Sequence, residues 1–110
     1  MEQPTERRVR KVSVNEFIPL LEMVESGKCV LIDVRSPDEF RNEKVEGAKN
    51  VPVDTIKNSM DDIDRDIALL IYCKTGNRSL RAVEQLLQMG FKDVMMLDGG
   101  INAWKAHCRK

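Results

Sequence analysis

Short apolar runs alternate with amphipathic stretches along the whole chain. Cys29–Val34 and Ile67–Cys73 are brief apolar runs, the pattern of buried strands, and Lys92–Leu97 is another strand. Ile67–Cys73 is the most apolar and is therefore expected at the centre of the sheet. Val9–Val14 and Lys49–Val53 are weaker strand candidates. Between the runs the period changes. Ser13 and Glu16 form a capping box, and Phe17, Ile18, Leu20, Leu21, Met23 and Val24 follow at helical spacing until Gly27. Pro19 falls inside that pattern and should kink the helix or move its start later. Ser36-Pro37-Asp38-Glu39 combines an N-cap, a first-turn proline and a capping glutamate, which predicts a short helix to about Glu43. Asp54 is expected to cap another short helix leading into Asp61-Asp62-Ile63-Asp64, a charge run that reads as a solvated turn. Ser79–Gly90 is predicted as a helix with Leu80, Val83, Leu86 and Leu87 inward. Asp98-Gly99-Gly100 opens a last helix over Ile101 to about Cys108, with Trp104 packed on the sheet. Strands alternating with helices across short loops predict an α/β fold, a parallel sheet covered on both faces.

The length of 110 residues fits a single domain spanning 1–110, with residues 1–9 as a polar lead. The chain is 42% hydrophobic and 33% charged with zero formal net charge. That balance gives no global field for nucleic acid or an anionic membrane, so neither is an expected partner. No apolar run approaches the roughly 20 residues needed to cross a bilayer. With no apolar signal segment at the start, the expected location is cytoplasmic. Three cysteines are an odd count in a chain that needs no disulfide staple. Cys29 opens an apolar run and reads as core, and Cys108 near the end reads as a bystander. No cysteine or histidine pair has metal-ligand spacing, so no metal is expected.

Cys73 changes the picture. It closes the most apolar run and is followed by Lys74-Thr75-Gly76-Asn77-Arg78-Ser79, a tight loop opening a helix. A thiol there meets free backbone N–H groups and the positive end of a helix dipole. Gly76 permits positive φ, so successive N–H groups can curl into a nest. Lys74 and Arg78 add positive charge. These features predict an anion-binding loop around a nucleophilic thiolate.

In a parallel sheet, functional groups gather at the carboxyl ends of the strands. Asp33-Val34-Arg35, Cys73 and Asp98–Gly100 should therefore share one edge. Cys29 begins its strand and should lie roughly 15 Å away, out of disulfide reach of Cys73. The last helix runs away from that edge, which makes His107 a poor general base and Cys108 a poor resolving thiol. A nucleophile without a histidine partner does not suit acyl transfer. It does suit sulfur transfer, because a thiolate attacks sulfur directly.

From about Val12 to Trp104 the chain resembles the single-domain rhodanese (sulfurtransferase) family. The resemblance is carried by Asp33-Val-Arg35 with Glu39-Phe40, Gly47-Ala48-Lys-Asn50-Val-Pro52, Cys73 to Ser79, and Leu97-Asp-Gly-Gly100 with Ala103-Trp104. It implies a rhodanese-like fold, a five-stranded parallel sheet with helices on both faces. It also implies a sulfurtransferase in which Cys73 takes a sulfane sulfur from a donor such as thiosulfate and passes it, as a persulfide, to a thiol or cyanide. No cofactor is implied. The N–H groups of Lys74 to Ser79 would hold the persulfide and the leaving anion, and Lys74 and Arg78 would favour an anionic donor. Asp33 and Arg35 are expected to form a supporting ion pair. Lys44 stands where the family often has histidine, a change expected to affect a surface contact.

Two other readings remain. A dual-specificity-type phosphatase or an arsenate reductase uses a similar loop, but such phosphatases place one residue more between Cys and Arg than the four found here. Tyr72 also stands where a phosphatase commonly has histidine. A persulfide carrier or binding module serving a protein partner is the other. Donor, acceptor, pathway and oligomeric state are not written in the sequence.

Overall fold

The structure is a computed structural model and describes residues 9–109. Most of the predicted lead, residues 1–8, lies outside the described residues. Strand β1 (Val9–Val12) leads into helix α1 (Val14–Glu25), then β2 (Cys29–Asp33), α2 (Pro37–Asn42), β3 (Lys49–Asn50), a 3-10 turn (Val53–Thr55) and α3 (Ile56–Ser59). Strand β4 (Ala68–Tyr72), α4 (Asn77–Gln88), β5 (Val94–Leu97) and α5 (Gly100–Cys108) complete the chain. The five strands form one sheet in the order β1-β5-β4-β2-β3, with every pair parallel. The most apolar strand, β4, is central as its sequence predicts.

Alternation along the central strands divides the core in two. Leu69, Ile71 and Cys73 face one layer with Ile32, Val83, Leu86 and Met96. Leu70 and Tyr72 face the other with Phe17, Leu31, Met95 and Ile101. Both faces are covered by apolar side chains, so the strands need no polar alternation. Trp104 packs its edge against Phe17 of α1, with ring centroids 5.3 Å apart, over the second layer.

Both predicted capping boxes form. Ser13 and Glu16 exchange bonds at the start of α1, and Ser36 and Glu39 do so at α2. Helix α1 starts at Val14 and carries Pro19 within it, so the proline does not move the start later. Asp54 lies inside the 3-10 turn and caps nothing. It pairs loosely with Arg81 at 3.5 Å instead. Strand β3 is shorter than expected because Pro52 supplies no ladder donor. The chain keeps its hold on β2 through Val51 N–H to the Asp33 carbonyl and Val53 N–H to the Val34 carbonyl, then turns.

Helix α4 begins at Asn77, two residues earlier than predicted, and its inward face is Ser79, Ala82, Val83, Leu86 and Leu87. Leu80 is 42% exposed, which corrects its inward assignment. Ser79 lies on the inward face, and a residue one step further along a helix points about 100° away.

Candidate active site

Cys73 follows β4 directly and is 1% exposed. Its Sγ accepts hydrogen bonds from Gly76 N–H at 3.0 Å and Ser79 N–H at 3.3 Å. Gly76 makes this possible. Its φ of 138° is a conformation that L side chains avoid. A Cβ there would meet nothing closer than 3.9 Å, so the requirement is conformational and not one of space. The loop thus wraps its own donors around the sulfur at the N-terminus of a 12-residue helix.

The two cations of the loop differ. Lys74 is exposed and makes no ion pair among the described residues. Arg78 forms a two-pronged pair with Glu39 at 2.7 and 3.1 Å. Glu39 Oε1 also accepts the Ser36 N–H that closes the α2 capping box. One carboxylate therefore starts α2 and ties it to the first turn of α4. Sequence reading assigns Glu39 to its local cap, and its partner 39 residues away is not visible there. The Arg78 hydrogen bonds first, aided by the Ser36 cap against a partial burial cost, pull the Glu39 carboxyl down to about 2. A carboxyl whose folded value is depressed stabilises the fold above its ordinary value, 4.5, and loses that contribution as pH falls toward about 2. Glu39→Gln should therefore lower stability by a constant amount above about pH 5. The gap should close on acidification below that, measured by urea unfolding across pH.

Asp33, Cys73 and the start of α5 meet at one sheet edge, as the topology predicts. Asp33 is in register with Tyr72. Asp33 and Arg35 are 0% and 3% exposed. Arg35 Nε donates to both Asp33 oxygens at 3.0 Å, and Nη2 donates to Oδ2 at 2.7 Å. Arg35 Nη2 also donates to the Glu43 carbonyl at 2.6 Å. Asn50 Nδ2 donates to the carbonyls of Asp33 and Arg35, both at 3.0 Å. This ion pair and its backbone bonds hold β2, β3 and the end of α2 together beneath the site.

Helix α5 completes the loop from the other side. Ile101 N–H donates to the Cys73 carbonyl at 2.8 Å and Asn102 N–H to the Lys74 carbonyl at 3.2 Å. Gly100 is pressed against the same backbone. A Cβ on it would lie 2.5 Å from both the Cys73 and Lys74 carbonyl oxygens, and its φ is already positive at 62°. Gly100→Ala is expected to cost about 1–3 kcal/mol and to displace the Cys73 loop. A lower urea midpoint with unchanged slope would show it.

Beside the loop lies a cleft of about 200 Å³ lined by Glu39, Glu43, Lys74, Asn102 and Lys105 among others. Lys105 is tied to Glu43 at 2.7 Å, which leaves Lys74 as its unpaired charge among the described residues. Thr75 and Asn77 are exposed on the loop. The other thiols stand apart. Cys29 is buried, and burial, with the nearby Asp93 carboxylate second, pushes its thiol up to about 11. Cys108 is exposed at the far end of α5, and His107 stacks beside Trp104. Lys44 places its ammonium over the Phe40 ring, 4.9 Å from the centroid, a surface contact. No cluster of metal-ligating side chains occurs among the described residues.

The profile of the Rhodanese-like domain family matches residues 19–107. The chain belongs to the rhodanese-like family. It is 33% identical over 95 residues to the thiosulfate sulfurtransferase GlpE of Shewanella oneidensis, covering 86% of this chain and 91% of that one. It is 34% identical over 85 residues to a sulfurtransferase of Allochromatium vinosum, covering 77% and 79%. Among solved structures it is similar to a rhodanese-like domain protein of Staphylococcus aureus, with a TM-score of 0.76, 29% identity and coverage of 86% and 90%. It is also similar to a rhodanese-related protein of Thermoplasma volcanium, with a TM-score of 0.75, 28% identity and coverage of 89% and 92%. The rhodanese-like assignment agrees with the five-stranded parallel sheet.

Proposed function

We propose that this protein is a sulfurtransferase that carries sulfur as a persulfide on Cys73. The observation that carries the reading is the pair of backbone N–H groups converging on Cys73 Sγ, and similarity to thiosulfate sulfurtransferases supports it. Backbone N–H groups converging at a helix N-terminus form an anion-binding site, and the thiolate is the nucleophilic form of a cysteine. The thiolate attacks the sulfane sulfur of a donor such as thiosulfate. The Sγ–S bond forms, the S–S bond of thiosulfate breaks, and sulfite leaves with the electron pair. Attack by a thiolate or cyanide on the outer sulfur then returns the Cys73 thiolate, with no net oxidant or reductant. Each step is a displacement at sulfur and needs no general base. Thiosulfate is dianionic at neutral pH and the sulfite that leaves is also an anion, and Lys74 is the cation beside the loop without an ion pair among the described residues. The Arg78 charge is engaged by Glu39, so its part in the donor site is to hold the first turn of α4 in place.

The test is thiocyanate formation from thiosulfate and cyanide by the purified protein. Lys74→Ala should raise KM for thiosulfate by about two- to fivefold, the weight of one exposed charge. KM for an uncharged sulfur donor should not change, and equal losses with both donors would count against the charge argument. A four-residue spacing between Cys73 and Arg78 disfavours a phosphatase loop. Release of phosphate from an aryl phosphate, lost in Cys73→Ser, would reverse that judgement. Faster transfer to a protein thiol than to small acceptors would make the protein a carrier for a partner.

A further inference from the structure

Ser79 Oγ is a buried side-chain oxygen with no hydrogen-bond partner, the one such atom among the described residues. The residue is fully buried. A hydroxyl in such surroundings ordinarily finds a partner, and an orphan calls for a reason. The other inward residues around it on α4 are apolar: Ala82, Val83, Leu86 and Leu87. Packing alone would be served by alanine, which also favours the helix.

The position of Ser79 suggests the reason. Its own N–H donates to Cys73 Sγ, so the hydroxyl springs from backbone already in contact with the sulfur. If Cys73 carries a persulfide, as proposed above, a second sulfur lies about 2 Å beyond Sγ. That outer sulfur bears the negative charge. The inner sulfur already receives the N–H groups of Gly76 and Ser79. The outer one needs a donor of its own, in a place from which solvent is largely shut out.

We propose that the Ser79 hydroxyl is that donor, unpartnered in the resting protein and bonded to the outer sulfur once Cys73 is loaded. Ser79 then orients the sulfur for attack and slows its loss between donor and acceptor. Its side chain acts in the loaded state, while its amide acts in both.

Wild type, Ser79→Ala and Ser79→Thr would be loaded with thiosulfate, freed of donor and followed by intact mass without acceptor, with melting temperatures taken before and after loading. Ser79→Ala should still gain one sulfur but lose it about tenfold faster than wild type, the weight of one charge-assisted hydrogen bond. Ser79→Thr, which keeps the hydroxyl, should retain its sulfur nearly as long as wild type. Loading should raise the melting temperature of wild type more than that of Ser79→Ala, whose resting form should be no less stable. Sulfur uptake with equal lifetimes in wild type and Ser79→Ala would overturn this inference alone, as would rapid loss from Ser79→Thr. Equal destabilisation of resting and loaded Ser79→Ala would assign the hydroxyl to structure. Failure of wild type to take up sulfur would remove the persulfide reading and this inference with it.

Discussion

Cys73→Ser is expected to reduce thiocyanate formation from thiosulfate and cyanide to the rate without protein, while the fold survives. A serine hydroxyl is far less acidic than a thiol and, with no histidine at the site to activate it, cannot attack sulfur at neutral pH. His107 is at the far end of α5, stacked on Trp104. The substitution changes little else. The Ser oxygen can accept from Gly76 and Ser79 N–H as the sulfur does, and the residue keeps its place between β4 and α4. A circular dichroism spectrum like that of wild type, together with loss of turnover, would show that the effect is chemical. Cys29→Ser and Cys108→Ser leave the loop untouched and should retain turnover.

Asp33→Ala carries the largest expected loss of stability. It leaves the Arg35 guanidinium buried with its carboxylate gone and only the Glu43 carbonyl as a side-chain acceptor. Removing one partner from a buried pair costs about 3–5 kcal/mol, a large share of the 5–15 kcal/mol that typically holds a domain. A melting temperature lower by more than about 10 °C is expected. The damage should also spread, because Asn50 bonds the same two backbone carbonyls. The double variant Asp33→Ala with Arg35→Leu should recover much of the loss, since it leaves no unpaired charge. A double variant as unstable as the single one would mean that the backbone bonds, and not the charge pair, hold this corner.

The parts of this protein that were legible in its sequence are those set by short-range chemistry. The capping boxes Ser13–Glu16 and Ser36–Glu39, the apolar run into Cys73 and the glycine three residues after it are each local signals. Together with parallel topology they were enough to bring Asp33, Cys73 and Gly100 to one edge. What the sequence hid depends on contacts between distant segments. Glu39 reads as a helix cap, and only the fold brings it against Arg78. That pairing engages Arg78, one of the two cations expected to face the donor. Gly100 reads as part of the start of the last helix, and its closeness to the Cys73 and Lys74 carbonyls appears only when α5 docks. Leu80 fits the apolar spacing of Val83, Leu86 and Leu87 yet is 42% exposed, because the inward face of α4 runs through Ser79, Ala82, Val83, Leu86 and Leu87.

The most direct test of a sulfur-carrying Cys73 is the intact mass of the protein after thiosulfate treatment. Wild type should gain one sulfur, lose it on addition of cyanide, and show no gain in Cys73→Ser. No gain on wild type, or a gain that persists in Cys73→Ser, would contradict the account.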